Sequence, residues 1–174
     1  MTGSGPLILL RLLHIVVGAC WVGAAVFIGG MLIPSVRAVG PAAGPVMQQI
    51  AGVRRLPKWM IVAAAVTVVS GIGLYSIDSA GFSSAWMHTG SGVTFGAGGA
   101  LAILAFAYGA TVNAPTSQRL SRLMGEMQQV GGPPPPDRIA EMQRLQGRLA
   151  SAGTVVAVMV VLATALMAVA RYAG

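Results

Sequence analysis

Residues 7–33 read LILLRLLHIVVGACWVGAAVFIGGMLI, and this stretch decides the fold. Apart from Arg11 and His14 near its start, it is apolar or small throughout. A hydrocarbon core about 30 Å thick takes roughly 20 apolar residues in a helix, so 7–33 is long enough to span one. Three further stretches qualify. Residues 59–77 follow Pro57, which suits a first helical turn because its missing N–H is not needed there. Residues 92–112 are glycine-rich, and residues 150–170 are aliphatic. The sequence therefore predicts an all-α fold: an integral membrane four-helix bundle, one domain over residues 1–174.

Composition agrees. Of 174 residues, 55% are hydrophobic and 9% charged, against about 25% charged in a soluble domain. Mean hydropathy is +0.77. An ordinary soluble enzyme is excluded on this ground. The single cysteine, Cys20, allows no intrachain disulfide and no cysteine metal cluster. Two turns deeper than His14, it reads as a small packing residue.

The net charge of +7 has to be placed relative to the spans. Arg37, Arg54, Arg55 and Lys58 lie between spans one and two. Arg119, Arg122, Arg138, Arg144 and Arg148 lie between spans three and four, with Glu126, Asp137 and Glu141. The other side holds Arg11, Asp78 and Arg171. Cytoplasmic loops collect Lys and Arg, which predicts both long loops inside and the N- and C-termini outside. The charge is thus topological, with anionic-lipid contact as a secondary role, and nucleic acid is not an expected partner. Val17-Gly18-Ala19-Cys20 loosely resembles a lipoprotein cleavage box, but the apolar run continues to Ile33, so no cleavage is expected.

Pro34, Gly40-Pro41 and Gly44-Pro45 are expected to stop any long helix in the first loop, leaving Val46 to Val53 room for two helical turns. In the second loop, Gly131-Gly132 and Pro133 to Pro136 form a stiff turn between two amphipathic arms. Leu120, Leu123, Met124 and Met127 form one stripe; Ile139, Met142, Leu145 and Leu149 form the other, with Asp137 as N-cap. Spans three and four should thus extend into the cytoplasm as a helical hairpin over about 115–149, each arm roughly 20 Å long. Pro115 should kink the descending arm. The hairpin either packs on itself or docks a partner. Residues 47–52 and 142–147 echo each other (MQQIAG and MQRLQG) as a faint repeat.

Burial does not drive helices together in lipid; close backbone packing does, through small residues four apart. Ala63, Thr67 and Gly71 form such a line in span two, and Gly92, Gly96 and Ala100 in span three. Span one offers Ala19 with Gly23 and Ala25 with Gly29. Trp59 on one side, and Trp86 and Tyr172 on the other, suit the interfacial belts.

Two histidines and four carboxylates compose no phosphate loop, zinc helix or nucleotide fingerprint. No Ser, His and acid set can be drawn, because three of the acids lie inside and both histidines towards the outside. The expectation is a protein that is not an enzyme and has no catalytic residues. One cluster remains at the outer boundary. His14 lies about two turns into span one, Tyr75 and Asp78 reach the same layer, and His88 sits beside Trp86 and Met87 in the outer loop. His14, Gly18, Trp21 and Ala25 share a face, and Gly18 leaves room beside the imidazole for a flat ring. His14, Gly18, Trp21, Tyr75 and His88 are therefore the candidate cofactor-binding residues, for haem b or another tetrapyrrole with a histidine nitrogen on its metal. The plainer alternative is a histidine hydrogen-bonded to a neighbouring helix, with Arg11 and Asp78 snorkelling and pairing. Copper is a third option: sulfur suits Cu(I), but the ten methionines are scattered and only Met87 adjoins a histidine.

Leu13-His14-Ile15-Val16-Val17-Gly18 followed by Trp21-Val22-Gly23 resembles the first-span signature of the copper-resistance D-like membrane proteins. Within that group the chain resembles uncharacterised bacterial four-span membrane proteins, through Arg37 with Gly40-Pro41, Met47-Gln48, Leu56-Pro57, Ser70-Gly71 and Gly-Gly-Pro-Pro at 131–134. The resemblance implies a four-helix membrane fold in the bacterial inner (cytoplasmic) membrane, and an association with copper handling or b-type haem. Only His14 carries over as a site residue.

Three functions stay open. The first is a non-catalytic accessory or stabilising subunit of a larger membrane complex, with other membrane subunits or further copies as partners. The second is a haem, tetrapyrrole or copper-binding protein using His14. The third is a small transporter, for which the spans offer no polar stripe at mid-membrane.

Overall fold

The computed structural model describes residues 4–129 and 135–173; the Gly-Gly-Pro-Pro turn at 131–134 lies outside them. Among the described residues the chain is helical and no strand occurs. Four helices among them are long and apolar enough to cross a membrane: α1 (Gly5–Val39), α2 (Leu56–Asp78), α3 (Gly90–Met127) and α4 (Pro136–Tyr172). Each contains one span read from the sequence. Their length and composition are those of a multi-pass membrane protein.

Consecutive helices run antiparallel. Gly73 faces Leu10 and Gly18 faces Thr67 between α1 and α2, while Gly96 faces Tyr75 between α2 and α3. Gly98 lies against Ala163 and Met167 between α3 and α4, and Gly29 against Gly153 closes the ring between α1 and α4. One end of the bundle thus carries His14, Tyr75 and His88, and the other carries the arginine-rich connections.

The outside of the bundle is apolar: Val69 is 67% and Ile15 64% exposed. In water each such side chain would forfeit about 1.5–3 kcal/mol; in lipid it forfeits nothing. The helices are held instead by close approach over small residues. Trp21, Ala25, Ala64, Ala102, Ala105, Val156, Val160 and Ala163 make the buried cluster, rich in alanine from all four helices. A Cβ on Gly29 would lie 3.3 Å from the Gly153 carbonyl oxygen, and one on Gly98 3.1 Å from that of Ala163.

The small-residue lines divide. Thr67 and Gly71 face α1, and Gly92 and Gly96 face Trp86 and Tyr75. On α3 the buried line continues through Gly98, Ala102 and Ala105, while Ala100 is exposed. On α1 the contact line is Gly18, Trp21, Ala25 and Gly29; Ala19 is exposed and nothing approaches Gly23. Cys20 is exposed and not a packing residue of this bundle. Small-residue spacing marks permission to pack, and only the neighbouring helix decides which line is used.

Pro34 behaves differently from the sequence expectation. Pro34 does not stop α1, which runs to Val39, and Pro115 lies within α3. Each follows a wide π turn by two residues: Ile28–Leu32 precedes Pro34, and Gly109–Asn113 precedes Pro115. The extra residue in such a turn re-pairs the backbone around the missing N–H, so the helix resumes. α1 ends at Gly40, whose φ of +68° suits only glycine at low cost. The following connection holds a helical turn, Gly44–Met47, and a π turn, Gln48–Val53. Residues 142–147 lie inside the regular α-helix Pro136–Val169, so the two echoing segments do not share a conformation.

Beyond the apolar cluster, α3 and α4 continue side by side at the arginine-rich end. Leu123 and Leu145, one from each stripe, are buried, at 4% and 6% exposure. Arg138 Nη1 lies 3.4 Å from Glu126 Oε2 with both side chains largely exposed, an interaction contributing at most about 1 kcal/mol. α4 starts on Pro136 with Pro135 in the cap position, two residues ahead of the predicted Asp137 cap. Proline's fixed φ begins the helix, and Asp137 sits in the first turn, where a carboxylate complements the helix dipole.

Candidate functional site

His14 is placed by a π turn. Leu13–Val17 forms a wide turn inside α1, and the Gly18 N–H reaches both the His14 and Ile15 carbonyls. The imidazole leans on α2, where Nδ1 lies 2.9 Å from the Thr67 carbonyl oxygen. A carbonyl only accepts, so Nδ1 carries the proton, and in the neutral ring Nε2 keeps its lone pair. Nε2 has no hydrogen-bond partner among the described residues. Ser70 Oγ also donates to the Thr67 carbonyl, at 3.1 Å, and to that of Val66, at 2.6 Å.

Glycine makes this contact possible. A Cβ on Gly71 would lie 2.7 Å from His14 Cε1 and 3.1 Å from Nδ1. One turn deeper, a Cβ on Gly18 would meet the Thr67 methyl at 3.2 Å. The room beside Gly18 is therefore taken by Thr67 and not left for a flat ligand. Thr67 Oγ1 donates to Ala63 O at 2.8 Å. His14, Gly18, Thr67 and Gly71 form one polar clasp between α1 and α2.

The other candidates are placed elsewhere. Trp21 is 4% exposed and turns into the buried cluster, towards the arginine-rich half. Tyr75 donates to the Gly92 carbonyl at 3.1 Å and meets Trp86 edge to face at 5.2 Å. Trp86 in turn presses on Gly92, where a Cβ would collide with the Trp86 carbonyl oxygen. Tyr75 thus fixes the turn between α2 and α3. His88 is exposed on that turn, its Nδ1 2.6 Å from the Ser84 carbonyl oxygen. Arg11 and Asp78 are exposed, and no ion pair among the described residues joins them.

The five residues thus separate into a helix clasp, a core tryptophan and a turn anchor with its own histidine. Among the described residues no group of three or more His, Cys, Asp or Glu side chains is close enough to hold a metal. Thr67, Ser70 and Gly71 belong to the site, and the sequence does not mark them as such. Thr67 and Gly71 stand in the small-residue line of span two, but nothing in the spacing pairs that line with His14. No family model, curated protein or solved structure matches this chain, so the copper-resistance D-like resemblance rests on its short motifs alone.

Proposed function

We propose that this chain is a non-catalytic integral membrane protein that stabilises a larger bacterial inner-membrane assembly, lying with its arginine-rich connections in the cytoplasm and both termini outside. One observation carries the first part. Three polar side chains of the histidine end are engaged in holding backbone: His14 on Thr67, Ser70 on Val66 and Thr67, Tyr75 on Gly92. Such groups rigidify a helical scaffold. Around that scaffold lies an apolar surface suited to lipid and to further helices. The charge distribution supports the orientation.

Purification in mild detergent tests this. A stoichiometric companion, or a mass of two or more copies, is the expected result. A lone monomer that keeps its fold contradicts it.

A second function rests on the His14 tautomer. Nδ1–H bonded to a carbonyl, with Nε2 unpartnered among the described residues, is how protein histidines are oriented to ligate a metal. The residues fit a single axial nitrogen, supplied by His14. An absorption spectrum after haem supplementation decides the matter. A Soret band lost in His14→Ala supports ligation, and no Soret band ends it.

A further inference from the structure

The four π turns among the described residues are not scattered. One carries His14. The other three, Ile28–Leu32, Gln48–Val53 and Gly109–Asn113, all line one cavity of about 190 Å³ at the arginine-rich end of the bundle. π turns inside helices recur at functional sites because they widen the backbone locally. Here three of them converge. Ala25, Ala64 and Ala105 leave space at its inner wall, where Trp21 and Phe106 supply aromatic surface.

The lining is almost wholly apolar, with one exception of consequence. Asn113, the last residue of the α3 π turn, lines the cavity, and its Oδ1 is buried with no hydrogen-bond partner among the described residues. Ser117 follows one turn later on the same wall. A buried carboxamide oxygen without a donor carries a free-energy cost. An ordered water needs two to four polar partners, and Asn113 and Ser117 are the polar side chains among the lining residues. A mainly apolar molecule bearing one hydroxyl remedies that cost, and the carboxamide can turn about χ2 to meet that group. The space admits a ring: a closed cavity of roughly 150 Å³ lined by aliphatic and aromatic side chains holds benzene. This one, of about 190 Å³, is partly open, so a ring can enter and extend beyond it.

We propose that this cavity is a binding site for a small uncharged ring carrying a hydroxyl, a phenol-like molecule or headgroup, with Asn113 as its hydrogen-bond partner and Trp21 and Phe106 as its apolar walls. The site is separate from the His14 clasp and does not depend on the scaffold function.

Trp21 supplies the readout. In a Trp59→Phe/Trp86→Phe background it is the sole tryptophan, and neither replaced residue lines the cavity. The protein is placed in lipid nanodiscs and titrated with 4-bromophenol, whose bromine quenches indole on contact, and with bromobenzene, which lacks the donor. The expected result is saturable quenching by 4-bromophenol, with half-saturation raised about tenfold in Asn113→Leu and weaker saturation by bromobenzene than by the phenol. Quenching that rises linearly and equally in both proteins, as partition into lipid gives, overturns the site. Equal affinity for the two probes in the unsubstituted cavity overturns the role of Asn113. Ala110→Leu, which fills the cavity and leaves the amide in place, is the second variant: saturation lost there supports the site, and saturation retained overturns it.

Discussion

His14 and Gly71 touch across the α1–α2 interface so closely that a methyl group on residue 71 would fall 2.7 Å from the imidazole Cε1. The contact ties a sequence feature, glycine in mid-helix, to the one histidine that bonds another long helix.

Gly71→Ala sets two effects against each other. Alanine in a helix interior is favoured by about 0.5–1 kcal/mol over glycine, whereas overpacking costs about 1–3 kcal/mol. The clash is expected to win, and Gly71→Ala should lower the thermal midpoint in detergent. Gly23→Ala is the matched control, since nothing lies within 4 Å of its Cβ position; it should raise the midpoint. Equal shifts in the two variants would mean that the clasp does not exist.

How much of this is legible in the sequence depends on how local the signal is. The four spans are readable because twenty apolar residues in a row have few other fates, and 59–77 ends one residue short of the far end of Leu56–Asp78. Helix ends near proline are not. Pro34 reads as a break because the rule that proline stops a helix ignores a π turn two residues earlier, which hydropathy does not reveal. Partner choice is hidden for a related reason. Ala19 with Gly23 and Ala25 with Gly29 have the same spacing, yet only the second pair faces a neighbour. The cavity is least legible of all, because its walls come from residues as far apart as Trp21 and Val156.

Tyr75→Phe keeps the ring against Trp86 and removes the hydrogen bond to the Gly92 carbonyl. It should cost about 1 kcal/mol, and faster amide exchange should be confined to the turn over residues 79–92. Unchanged exchange there would contradict the anchoring role.

Asn113→Leu should move stability in the opposite direction from most core substitutions. It removes a buried acceptor without a donor and adds apolar volume beside Ala110 and Ala114. A gain of about 1 kcal/mol is expected in thermal unfolding of ligand-free protein. A loss of similar size would show that the carboxamide is already satisfied.

Gly29 and Gly153 bring α1 and α4 together at backbone distance. Gly29→Leu should force the helices apart at a cost of about 1–3 kcal/mol or more, since the obstacle is a carbonyl oxygen and not a flexible side chain. An unchanged midpoint would place that face outside the bundle.

The most direct test of the membrane arrangement is cysteine labelling in intact cells. In a Cys20→Ala background, one cysteine is placed at Ser84, on the turn between α2 and α3, and in a second protein at Gln143, on the α4 arm; both positions are exposed. A membrane-impermeant maleimide should label position 84 in intact cells, and position 143 only after permeabilisation. Labelling of 143 first, or of both in intact cells, would contradict a bundle that crosses the bilayer with its arginine-rich end in the cytoplasm.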